Sequence, residues 1–135
     1  MTGETDLKKL LATMAPLLHE GDYVFCTVTE LPVSGAGEIL CTFREAEGWT
    51  LVMEKGVADG LQMTYGLIMA WITLTVHSSL EAVGLTAAVS RALAEREIGC
   101  NVIAAYYHDH IFVARKDAEA AMLALRGLGE NGRSL

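Results

Sequence analysis

His77, Ser78 and Ser79 stand together a few residues ahead of Gly84-Leu85-Thr86, with Glu81 between them. Three kinds of chemistry are open to such a run. Serine beside histidine could be a nucleophile with its base, but adjacent residues at a strand end rarely face one another, and no orienting acid is identifiable from spacing. The second is anion binding. A helix starting near Gly84 offers backbone N–H groups without internal acceptors and a partial positive charge, so it can hold a carboxylate or phosphate without a basic side chain. Gly84 would let a ligand approach the main chain closely. The third is structural: Ser78 and Glu81 have the S-x-x-E spacing of a capping box, so the hydroxyls could simply cap the helix while His77 bonds within its own loop.

The other candidates are weaker. His108-Asp109-His110 has the residue types of a metal site, but spacing offers no third or fourth ligand, and a tight hairpin reversal asks for the same polar residues. Gly35 and Gly37 lack the third glycine and the following helix of a phosphate loop. Cys26, Cys41 and Cys100 are odd in number, have no C-x-x-C spacing and sit in apolar strand-like runs, which reads as buried free thiols in a reducing compartment. Trp71, Tyr106, Tyr107 and Phe112 look like sheet or interface aromatics. No catalytic residue, metal or cofactor is expected.

Composition narrows the partners. A net charge of −7 opposes the counterion release on which nucleic-acid affinity rests. The longest apolar stretch, 66–76, carries Thr73 and Thr75 and is far short of the roughly 20 residues of a membrane helix. The first nine residues lack the basic-then-apolar pattern of a secretory signal, so a cytoplasmic protein is expected. A hydrophobic fraction of 52% with a mean hydropathy of +0.33 is rich for 135 residues and favours self-association.

Elements able to position the candidate residues follow from periodicity. Leu7, Leu10, Leu11, Met14, Leu17 and Leu18 predict an amphipathic helix over 6–18, bent or shortened by Pro16 and capped by Thr5 or Asp6. Alternation predicts strands over 23–29, 38–43, 49–53, 69–76, 101–107 and 111–114, and a short helix near 57–61. Val83, Leu85, Val89, Ala92 and Leu93 predict a helix ended by Gly99, and a last helix spans 117–128. The C-terminal order of strand, helix, strand, strand, helix suggests an α+β, ferredoxin-like, mostly antiparallel sheet with helices on one face. Both faces of the strands read as apolar, so the second face should be covered by another sheet or a partner.

Two stretches carry a family resemblance. Trp71-Ile72-Thr73-Leu74-Thr75-Val76-His77-Ser78-Ser79-Leu80-Glu81-Ala82-Val83-Gly84-Leu85-Thr86 and Cys100-Asn101-Val102-Ile103-Ala104-Ala105-Tyr106-Tyr107-His108-Asp109-His110-Ile111-Phe112-Val113 closely resemble small bacterial ACT-domain proteins, similar in turn to the regulatory ACT pairs of aspartate kinases. The resemblance implies two ACT-like units: a partial one over 5–62 and a fuller one over 69–128, followed by a frayed tail at 129–135. It implies a non-enzymatic regulator or sensor, a homodimer that binds a small molecule, an amino acid in the first place, at an interface between ACT units. The alternative is a homo-oligomeric assembly module without a ligand. Transferred by position, Gly84, Leu85 and Thr86 would supply backbone contacts, with Ser78 and Ser79 near them, and Asn101 and Val102 would meet the ligand from the strand of a neighbouring unit. The sequence names neither the ligand nor a downstream protein partner.

Overall fold

A computed structural model describes residues 6–32, 36–76 and 83–134. Along the chain run α1 (Leu7–Thr13), β1 (Pro16–Leu18), β2 (Tyr23–Val28), β3 (Ile39–Glu45), β4 (Gly48–Glu54), α2 (Lys55–Gly60), β5 (Met69–Leu74), α3 (Leu85–Ala94), β6 (Asn101–Ala104), β7 (Asp109–Ala114) and α4 (Ala118–Ser134). The chain divides into two units, one formed by Met1–His19 with Trp71–Leu135 and the other by Glu20–Ala70. The boundary falls inside β5.

The discontinuous unit owes its form to Pro16. Asp6 caps α1, its carboxylate accepting from Lys9 N at 3.2 Å, but the helix stops at Thr13 rather than running to residue 18. Proline has no N–H to donate and pushes Ala15 before it out of the helical region; the chain is already extended at the C-cap Met14 and continues as a strand. Pro16, Leu17 and Leu18 pair antiparallel with Leu74, Thr73 and Ile72. The sheet order in this unit is therefore β1-β5-β7-β6, with the N-terminal segment supplying the fourth strand of a ferredoxin-like sheet.

Helices α1, α3 and α4 pack on one another, and α4 also lies on β1 and β7. Leu85, Val89 and Leu93 on α3, Leu10 and Met14 beside α1, and Ala121, Met122 and Leu125 on α4 are buried with Ile72, Leu74, Ile111 and Val113 of the sheet. The pleat sends Trp71, Thr73 and His110 to the opposite side. The α3 helix ends without help from Gly99. Glu97 takes the left-handed conformation (φ 58°), and Ile98 N donates back to Leu93 O at 3.0 Å, satisfying a terminal carbonyl; both side chains are buried. The last helix passes the predicted end at Leu128 and continues to Ser134.

The β6–β7 reversal falls earlier in the chain than the predicted 108–110. Strand β6 stops at Ala104, and Ala105 N donates to His108 O at 3.0 Å, so the reversal is Ala105–His108, while Asp109 and His110 already belong to β7. Tyr106 and Tyr107 sit exposed on the turn with rings edge to face at 5.0 Å, not in the sheet. Trp71 and Phe112 are sheet aromatics as read from the sequence.

The Glu20–Ala70 unit has strand order β3-β4-β2, and Met69 at the start of β5 pairs with Tyr23. Val24 and Cys26 register with Met53 and Leu51, and all four pack with Ala58 of α2 into a core edged by Ile39, Trp49, Leu61 and Tyr65. Between β2 and β3, where the other unit has a full α-helix, the described residues hold only a 3-10 turn, Ala36–Glu38, so this unit is the reduced one.

Gly48 makes the β3–β4 turn possible. Its φ is +147°, and a Cβ there would lie 2.5 Å from Val28 O, a backbone atom that cannot move without breaking the Val28–Trp49 pairing. Gly48→Ala should cost at least about 2 kcal/mol in urea unfolding; a midpoint unchanged from wild type would remove this turn from the features that hold the sheet together.

Candidate functional site

At the predicted binding segment the structure supplies part of what was expected. Gly84 occupies the N-cap of α3 in the left-handed region (φ 100°, ψ −19°), and among the described residues no side chain caps the helix there. Its carbonyl accepts from Ala88 N at 2.8 Å, so the helix proper starts at Leu85. Leu85 is buried and can offer a ligand only its backbone, whereas Thr86 is exposed. The glycine has a structural duty as well: a Cβ there would come within 3.1 Å of Leu7 Cδ2 on α1. Ser78 and Ser79, with the capping-box Glu81, lie outside the described residues.

Asn101 begins β6 opposite Phe112 and donates from Nδ2 to Phe112 O at 3.2 Å; Val102 pairs with Ile111 and is half-buried. The ten residues of α3, about 15 Å at the usual rise, separate Leu85 from the turn that leads into β6. The discontinuous unit thus does not bring Gly84, Leu85 and Thr86 together with Asn101 and Val102. Any pocket joining the two groups needs strand and helix end from different copies of the fold.

Sequence reasoning missed a cluster on the helix-free side of this same unit. The His19 ring stacks on Trp71 with centroids 3.5 Å apart and planes at 13°. His19 Nε2 lies 2.7 Å from Thr73 Oγ1, Thr73 Oγ1 lies 2.9 Å from His110 Nδ1, and Trp71 Nε1 donates to that same Nδ1 at 3.0 Å. An indole N–H only donates, so His110 Nδ1 must accept and carries no proton. The Thr73 hydroxyl proton then points to the same nitrogen, which leaves its oxygen to accept from the Nε2–H of His19. Nearby, His108 Nδ1 donates to Val76 O at 3.3 Å.

This arrangement requires a neutral His110, and the local electrostatics favour neutral imidazoles at both His19 and His110. Burial lowers the pKa of His19. Burial, then the charges of His108 and His19, lowers that of His110. Asp109 is pushed up by burial, partly offset by His108. Thr73 is only 5% exposed, so its hydroxyl is a connector rather than an accessible nucleophile. The signal in the sequence was the Trp71-x-Thr73 alternation. Its histidine partners, 19 and 110, are recognisable only once the strand order is known.

The cysteines are free, and Cys26 is buried as predicted, but Cys41 and Cys100 are half-buried. Burial raises the thiol pKa of Cys26, and that of Cys100 against an opposing hydrogen bond from Ser90, so both are held as thiols. Among the described residues no group of three or more His, Cys, Asp or Glu is placed to hold a metal ion, and no helix is long and apolar enough to cross a membrane.

A four-stranded ferredoxin-like sheet with helices on one face, and a reduced second unit, define an α+β fold of two ACT-like units. The chain belongs to the ACT-domain family: residues 2–70 match one model described as an ACT domain and residues 68–127 match another. Among solved structures it is similar to a Vibrio cholerae protein described as of unknown function and possibly a transport protein, with 48% identity over 91% of this chain and 95% of that one and a TM-score of 0.81. An Agrobacterium tumefaciens protein matches at 17% identity over 86% of this chain and 89% of that one, TM-score 0.69. The ligand-free regulatory subunit of Thermus thermophilus aspartate kinase matches at 10% identity over 87% and 98%, TM-score 0.58, a likeness of fold. No curated protein matches the chain.

Two outcomes follow from the histidine cluster. Thr73→Val keeps the shape but strands His19 Nε2–H without an acceptor, which should cost about 1–3 kcal/mol of stability. The pH dependence has a definite sign. A histidine with a lowered folded-state pKa leaves the unfolded chain binding more protons, so its stabilisation is complete above about pH 6.5 and is lost as pH falls below that value toward the folded one. Asp109 acts oppositely, gaining stability on acidification, but in a lower window that opens above the ordinary aspartate value of 3.8. Melting temperature should therefore drop from about pH 7 to about pH 5.5. The drop should be smaller in His110→Gln, and equal slopes in the two proteins would mean that the cluster does not titrate.

Proposed function

We propose that this chain is a non-enzymatic, cytoplasmic regulator that binds an amino acid at an interface between ACT units, working as a homodimer. The observation that carries the reading is the start of α3: a left-handed glycine with no side-chain cap among the described residues, in the segment where ACT-type sites would present main-chain N–H groups. Those amides and the helix dipole suit a carboxylate. Thr86 would sit beside it, Leu85 would contribute backbone alone, and Ser78 and Ser79 would border the site. Asn101 and Val102 of a neighbouring copy would close it. The fold shared with an aspartate kinase regulatory subunit supports a regulatory role without identifying the ligand.

Magnitudes limit the design. Micromolar affinity takes about 8 kcal/mol, which an amino acid of about nine heavy atoms reaches only when nearly enclosed. A helix end on an open surface would be too weak, so the neighbouring strand is essential to the proposal. The assembly-module alternative draws on one observation, that Gly84 is already needed to let Leu7 pack against the helix start.

A thermal-shift screen of the twenty amino acids at about 1 mM separates the two. With a dissociation constant near 10 µM the bound form gains about 2.7 kcal/mol, a rise of several degrees in melting temperature. Silence toward every amino acid would leave the assembly module. Gly84→Val is a poor control, because it would strain the backbone and crowd Leu7. Thr86→Glu is better. An acid in the first turn suits the helix, so the fold should keep its stability, while the added carboxylate competes with the ligand and should weaken its binding at least tenfold, roughly 1.4 kcal/mol.

A further inference from the structure

Beside β1, α4 presents a groove of about 330 Å³ lined by Leu18, Glu119, Met122, Leu123 and Arg126. A single exposed leucine is ordinary on a protein surface, and Leu123 at 65% exposure would need no comment alone. Its setting is unusual. Glu119, Leu123 and Arg126 follow the 3-4 spacing of one helix stripe, with an acid at one end, a base at the other and an exposed leucine between them, while Met122, only 6% exposed, floors the groove.

The stripe is complementary to itself under two-fold rotation. Let a second α4 lie antiparallel against the first, with the axis passing between Met122 and Leu123. Glu119 and Arg126 are each 3.5 positions from that axis, about 5 Å along the helix, so the acid of each copy falls level with the base of the other. Leu123 meets its counterpart at the centre. Residue i facing j, and j facing i, is the signature of an isologous dimer contact. The opposite pairing, parallel helices, would set acid on acid and base on base.

We propose that this face of α4 is the contact between two copies of the chain. It takes up the self-association in the functional reading above but is independent of any ligand. One helix pair buries less than the roughly 1,200 Å² of standard stable interfaces, so the dimer should be concentration-dependent and weakened by salt at its charged ends.

Sedimentation equilibrium from about 5 to about 500 µM without ligand tests this. Wild type should show a monomer–dimer equilibrium, and Leu123→Glu should weaken it at least tenfold. Glu119→Arg and Arg126→Glu should each weaken it by setting like charges level at both ends. The double exchange should bring the dimer back toward wild type, because the pairing returns with its signs reversed. A second measurement leaves the native charges in place: oxidised Leu123→Cys should give a covalent dimer whose linked peptide joins position 123 of the two copies. A monomeric wild type, single exchanges without effect, a double exchange no better than the singles, or no 123–123 linkage would each overturn the proposal. Ligand binding is scored separately by thermal shift, so an amino-acid response in a monomer would sink this contact alone, and a dimer of this kind with no response would sink the ligand alone.

Discussion

Three residue pairs carry the discontinuous unit: Pro16 with Leu74, Leu17 with Thr73 and Leu18 with Ile72. The segment 69–134 supplies strands β5, β6 and β7 and helices α3 and α4, one strand short of the ferredoxin-like sheet. The missing strand comes from more than fifty residues upstream, and it is a strand because proline cannot continue α1. The pairing extends at both ends: Thr75 N donates to Ala15 O and His19 N to Trp71 O, each at 2.9 Å. Closing so long a loop costs little more than closing a short one, since the entropy grows only with the logarithm of its length. The loop here is itself a packed unit, which lowers the cost further.

That pairing also sets the chemistry of the helix-free face. With β1 in register, His19 reaches Trp71 from one side while β7 brings His110 to it from the other. In the sequence both faces of the strands read as apolar, which predicts a second covering layer. On this side, beside the buried Phe112, the sheet carries two imidazoles, a hydroxyl and an indole that satisfy one another's hydrogen bonds. A half-buried polar group that finds its partner inside the same unit removes the penalty that a partner would otherwise have to relieve. The network also fixes tautomers, because the indole proton can go only to an unprotonated His110 Nδ1. Protonating that nitrogen would set it donor to donor against the indole N–H.

The legible parts of this sequence were those governed by local periodicity. The stripe Leu85, Val89, Leu93 gave α3, and alternation through Val24 and Cys26 gave β2; the ferredoxin-like class followed from the order of such elements, and the ACT family from the resemblance carried by residues 71–86 and 100–113. Leu17 and Leu18 misled because they fit the helical stripe of Leu7, Leu10 and Met14 while belonging, past Pro16, to a strand that only long-range pairing selects. Glu97 gave no sign that it would take the left-handed cap in place of Gly99, since that conformation is decided by the bond from Ile98 N to Leu93 O. The histidine cluster was unreadable for a related reason: positions 19, 73 and 110 share no local pattern, and only the order β1-β5-β7 makes them neighbours.

The start of α3 imposes a division of labour on the proposed binding site. Leu7 stands against Gly84, and the Leu85 side chain points into the core, so neither position can shape a pocket around a ligand side chain. What remains there is main chain and the exposed Thr86, a surface that distinguishes a carboxylate from a neutral group but not one amino acid from another. Discrimination would have to come from the strand facing it. Asn101 spends its amide on Phe112 O, and its side-chain oxygen remains as the acceptor that an ammonium group would seek. Because α3 holds those two regions apart within one unit, a second copy is a geometric requirement of the ligand reading rather than an addition to it. Binding would then be coupled to the separation of two copies of the fold, and a small ligand could alter a protein interface without any rearrangement inside either unit.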